Sequence, residues 1–82
     1  MARNIKVENR LILLYEGRVL TKHIVVESIS VLRSGKPYAV YGRYLSEGED
    51  TPCKRFDYEY LDFESKDKVN EIVGYEQQIQ ED

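Results

Sequence analysis

At 82 residues, with a formal net charge of −3, 33% charged residues and 41% hydrophobic ones, the chain is expected to be a single globular domain over 1–82, neither disordered nor strongly basic. Its longest apolar run, residues 11–14, falls far short of the roughly 20 residues that cross a bilayer. Nothing before Glu8 reads as a secretory leader, so a cytoplasmic protein without a membrane partner is expected.

The first predicted element covers 4–15 and ends in Leu11-Ile12-Leu13-Leu14-Tyr15, an apolar run of strand length closed by a turn at Glu16-Gly17. From 21 to 32 the β-branched density is high, with Ile24, Val25, Val26, Ile29 and Val31, but the alternation slips at Glu27 and Ser28. A slip of that kind predicts a bulge or bend. Ser34-Gly35-Lys36-Pro37 supplies a hairpin turn, and strand composition resumes over 38–45 with Tyr38, Val40 and Tyr44 on one parity. Residues 46–52 form an acidic loop, because Gly48 and Pro52 do not suit a strand interior. Phe56, Tyr58 and Tyr60 then alternate with Arg55, Asp57 and Glu59, which predicts a strand with one aromatic, packed face and one charged, solvated face. Val69, Ile72, Val73 and Ile79 fall at helical spacing, so an amphipathic helix is expected over about 66–79 with Ser65 or Asp67 as N-cap. The polar tail 77–82 is expected to fray.

Four or five short strands within 4–63 followed by one helix predict a mainly β fold, α+β at most. Its form is a small, strongly bent antiparallel sheet or an SH3/Sm-like barrel with a short C-terminal helix. A domain of this size buries only about 60–65% of its unfolded surface. The single cysteine, Cys53, offers neither a disulfide nor a cysteine zinc cluster to supplement that core. Homodimerisation is left open as a further source of stability. The charge is unevenly placed: residues 1–55 carry ten Lys/Arg against six Asp/Glu, net +4, and residues 56–82 carry two against nine, net −7. One end can attract anions while the other repels them.

No constellation reads as catalytic. His23 is the sole histidine and has no identifiable partner for a triad or metal site. Cys53 reads as a small half-buried hydrophobe. Glu47, Glu49 and Asp50 lack calcium-loop spacing and read as a solvated loop tip, and Asp57, Glu59, Asp62 and Glu64 as solvated carboxylates. No cofactor or metal is expected. The remaining signal is aromatic and basic: Tyr38, Tyr41 and Tyr44 interleave with Arg33, Lys36 and Arg43, offering rings for stacking and donors for phosphate. Tyr38 and Tyr44 share parity with Val40, so the preferred reading of these two is core, with hydroxyls reaching the rim. Tyr41 and Arg43, on the opposite parity, are expected to be the exposed pair.

Residues 26–31, the Ser34-Gly35 turn and Lys36-Pro37-Tyr38-Ala39-Val40-Tyr41 together resemble the WYL-domain family of bacterial regulators, in which a glycine turn leads into the "W-Y-L" strand. Arg55-Phe56-Asp57-Tyr58-Glu59-Tyr60-Leu61 resembles that family's "F-R-L-D-R-I" segment, and residues 11–15 its opening "I-x-Y" strand. Tyr38 is the one residue kept from the triplet, Pro37 and Ala39 replacing its neighbours. The resemblance covers roughly 11–63. It implies an Sm-like or SH3-like barrel that senses nucleotides or single-stranded nucleic acid, here through Arg33, Lys36, Tyr41 and Arg43. The other expectation is a protein-interaction module, a small inhibitor or adaptor, using a tyrosine-rich edge or the acidic C-terminal third.

Overall fold

The computed structural model describes residues 3–80, and side chains there apart from those of Asn9 and of 76–80. Four strands, β1 (Arg3–Gly17), β2 (Leu20–Val31), β3 (Pro37–Tyr44) and β4 (Lys54–Asp57), form one antiparallel sheet in chain order. A 3-10 turn (Tyr58–Tyr60) and a helix, α1 (Phe63–Gln80), follow. The fold is mainly β, as the turn spacing predicts. β1 and β2, with 15 and 12 residues, are long strands where short ones are expected.

Length makes the bend necessary, since a sheet this narrow can enclose a core only by curling over it. The bend falls at Glu27, where the sequence alternation slips. Against β3 the register jumps between Val26 and Ser28, and against β1 it jumps between Lys6 and Leu11. On β3 the facing residue is Gly42, and a Cβ there would lie 1.9 Å from the Val25 carbonyl oxygen. Only glycine lets the bulged strand approach so closely. The β2–β3 turn uses a second glycine, Gly35, with φ 93°. Its N–H donates to the Leu32 carbonyl at 2.8 Å.

One lateral row, Ile5, Ile29, Val40 and Phe56, runs across all four strands and is buried throughout. Leu13 and Ile24 continue the core towards Tyr44. α1 covers this face with Val69 and Val73, buried, and Ile72, half-buried, at the i, i+3, i+4 spacing of one helical stripe. The tail prediction and the packing role expected of Ile79 lie outside the described side chains and residues.

The sheet is not closed into a barrel. The segment after the 3-10 turn reaches the β1 edge, where Leu61 bridges Tyr15 and the Asp62 N–H donates to the Leu14 carbonyl at 3.2 Å. The Leu14 N–H in turn donates to the Ser65 hydroxyl at 2.8 Å. Above this seam the Tyr15 ring packs edge-on against Phe56 at 5.0 Å and Tyr60 at 6.2 Å.

The seam explains two corrections. The strand expected through Tyr60 stops at Asp57, because the chain must turn to bring Leu61 to β1. Tyr58 and Tyr60 are half-buried on the 3-10 turn rather than continuing the packed face of Phe56. The helix begins at Phe63, three residues before the expected start, and its cap is Asp62, which accepts the Ser65 N–H at 2.8 Å. Ser65, an expected cap, instead ties the helix to β1. The Ser65 hydroxyl, and then its N–H, hold the Asp62 carboxyl below its ordinary range.

Candidate functional site

The four residues singled out from sequence are not brought together. Arg33 and Lys36 are exposed around the β2–β3 turn, and Tyr41 is half-buried in mid-strand. Arg43 lies six residues beyond Pro37, about 20 Å along an extended strand. Its side chain, 13% exposed, forms an ion pair with Glu27 at 2.9 Å and donates through Nε to the Thr51 carbonyl at 3.1 Å. The bulge aims Glu27 at this guanidinium, so Arg43 is a strut between the bend and the 46–53 loop. It opens onto a groove of about 310 Å³ that also holds Glu8, Glu47 and Glu49, poor surroundings for an anion. Tyr41 and Arg43 therefore do not form the exposed pair that parity predicts.

Cys53 is corrected too: it is exposed, and its thiol donates to Glu27. That hydrogen bond, with some burial, pushes the thiol pKa up, away from the range of a reactive thiolate. The same thiol bond, with Arg43 behind it, holds the Glu27 carboxyl down. In the adjoining loop Glu47 accepts from Lys54 at 2.9 Å and from the Tyr44 N–H at 3.0 Å, which lowers it likewise. His23 is exposed on β2, between β1 and β3 rather than at a sheet edge. Among the described residues no three His, Cys, Asp or Glu side chains gather in an arrangement fit to hold a metal ion, and no helix is long and apolar enough to cross a membrane.

At the other end of β3 the arrangement differs. A second register shift, between Ser30 and Val31, leaves Tyr38 as an extra residue on β3. Tyr38 accordingly leaves the parity of Val40, and its half-buried ring lies 5.6 Å from the Arg55 guanidinium instead of joining the core. Tyr44 keeps the predicted parity and packs against Phe56 at 5.4 Å. The Lys66 ammonium, from the first turns of α1, stands 5.6 Å from the Tyr58 ring, whose hydroxyl accepts from Asn70 Nδ2 at 2.9 Å. Lys36, Tyr38, Arg55, Tyr58 and Lys66 line one groove of about 480 Å³, together with the carboxylates Asp57 and Glu59.

Arg55 is held by Asp57 at 3.1 Å, whereas neither Lys36 nor Lys66 has an ion-pair partner among the described residues. Arg55 also faces Tyr41 across the β3–β4 pair, so the one predicted ring outside the groove borders it. Chemically, the groove offers two ammonium groups for an anion and two aromatic faces, each beside a cation. No family model, no curated protein and no solved structure matches the chain.

Lys36 is the one predicted site residue that lines the groove. Tyr38 belongs to the aromatic and basic signal of the sequence, with core as its competing reading; the sequence pattern assigns Tyr58 to a packed strand face and gives no site signal at Arg55 or Lys66. A clue was present in Asp62-Phe63-Glu64-Ser65, a capping residue followed by an acidic first turn. Reading the helix start there places Lys66 beside the end of β4.

Proposed function

We propose that the chain is a non-enzymatic, cytoplasmic regulatory binding module that takes a nucleotide-type ligand, free or as a unit of a single-stranded nucleic acid, in the groove between the β2–β3 turn, β4 and α1. The observation that supports this reading is the convergence of Lys36, Arg55 and Lys66 with Tyr38 and Tyr58 around one cavity. Lys36 and Lys66 receive the phosphate, while Tyr58, braced by Asn70, offers its ring to the base. The WYL-domain resemblance points towards the same ligand class.

Titration of mononucleotides and short single strands at low and high salt tests the proposal. Salt-sensitive binding is expected. Lys66→Ala should weaken it by about 10- to 100-fold, as removal of a charge-assisted contact does. Absence of salt-sensitive binding, or affinity unchanged in both Lys36→Ala and Lys66→Ala, removes the reading. The interaction-module reading is favoured by a separate observation, the exposure of Val19 and Phe63 near the seam.

A further inference from the structure

Val19, at the tip of the β1–β2 hairpin, is 97% exposed, and Phe63, the first residue of α1, is 85% exposed. Neither residue suits its local geometry. Gly17 pairs with Leu20, so Arg18 and Val19 are the entire connection. Two-residue hairpin loops favour Asn or Gly at positive φ, yet no non-glycine among the described residues has positive φ. Arg-Val thus turns the corner without the favoured backbone and holds a β-branched side chain in water. Likewise, the first helical position favours Pro or an acidic residue over an exposed aromatic one. Exposed apolar residues that break local preference mark positions where something other than folding is served.

A groove of about 430 Å³ lies between the hairpin and the helix start, lined by Glu16, Leu61, Asp62, Phe63, Glu64 and Lys66. Three carboxylates thus face one ammonium around an apolar floor. The hairpin tip offers the complement, a guanidinium beside an isopropyl group. Socket and tip are neighbours, Glu16 preceding Arg18 by two residues, or about 7 Å of extended chain. They do not satisfy each other within one chain, since both Arg18 and Val19 remain exposed. Adjacent, complementary surfaces are satisfied reciprocally when two copies meet across a two-fold axis.

We propose that the hairpin tip of each copy of this chain seats in the acidic, apolar groove of a second copy. Val19 packs on Phe63 and Leu61, and Arg18 lies between Glu16 and Glu64. One tip and one groove per copy is a footprint below the roughly 1,200 Å² of standard interfaces, so the dimer is reversible and concentration-dependent. Among the described residues it shares Lys66 alone with the nucleotide groove, and Val19 and Arg18, the residues its test alters, lie outside that groove.

Sedimentation velocity on the full chain, from micromolar to millimolar concentration at two salt levels, tests it. A dimer that weakens with salt is expected, and Val19→Ser or Arg18→Glu should raise its dissociation constant at least about tenfold. Both positions are exposed turn residues, and an unchanged thermal melt verifies that the variants fold. The double variant Arg18→Glu/Glu64→Lys re-forms the pair with reversed charges and should recover most of the lost affinity. A monomer at every concentration overturns the proposal. So does a dimer indifferent to Val19→Ser and Arg18→Glu, or a double variant no better than Arg18→Glu alone.

Discussion

The two ends of β3 carry similar residues and use them differently. At the bulge end Arg43 is nearly covered, held by Glu27 and by the Thr51 carbonyl. At the turn end Lys36 and Lys66 face a groove without carboxylate partners of their own among the described residues. Composition does not separate these cases, since each end has cations, carboxylates and tyrosine. Backbone irregularity does: one bulge aims Glu27 at a cation, and the other turns Tyr38 out of the core and towards one. A cation is available to a ligand where no carboxylate holds it in an ion pair, as Glu27 holds Arg43.

The largest expected effect breaks the bulge end outright. Gly42→Ala places a methyl group where the Val25 carbonyl oxygen already lies. A loss of about 4 kcal/mol or more is expected, a large share of the stability of a small domain. Chemical denaturation measures it, and a loss under about 1 kcal/mol would mean that the bend relaxes easily.

The next test sharpens the contrast through opposite outcomes in two variants. Arg43→Ala should lower stability by about 1–2 kcal/mol through the loss of a partly buried strut while leaving nucleotide affinity unchanged. Lys66→Ala should do the reverse. Parallel melting and titration experiments decide, and equal behaviour of the two variants would erase the distinction.

The smallest effect is the response to acid. Glu27 and Glu47 have folded-state values below their ordinary 4.5, and Asp62 below its ordinary 3.8. Lowered values mean that the ionised forms stabilise the fold. This contribution is complete above the ordinary values and is lost as pH falls from about 4.5 through the folded values. Melting temperature should accordingly fall below that pH, and Glu27→Gln should flatten part of the decline. A profile identical to that of the unaltered chain would remove Glu27 from the account.

These features were unequally legible in the sequence. An apolar run placed the first strand, β-branched density the second and the turn over 34–37 the third, and the broken alternation at Glu27 and Ser28 placed the bend, because a bulge is a parity error in a period-two pattern. The same parity argument failed at Tyr38, where an extra residue enters next to the turn and no apolar run continues to reveal the slip. It failed again at Tyr58 and Tyr60, since Phe-x-Tyr-x-Tyr reads as a strand until Leu61 has to reach Tyr15. That requirement is a long-range contact that no local window contains. The groove depends on these two irregularities and on the Asp62 cap, which is why Lys36 alone of its lining was foreseen as a site residue.

Gly42 also bears on how the chain's relatives are to be recognised. A side chain at 42 and a bulge at Glu27 cannot coexist, so the two positions should change together in any diverged copy that keeps this curvature. A sequence with a larger residue at 42 should also lose the extra residue on β2, and Glu27, Arg43 and Cys53 would then be free to vary. Such a linked change, one glycine and one inserted residue on neighbouring strands, is a signature of descent that would outlast similarity in the rest of the chain.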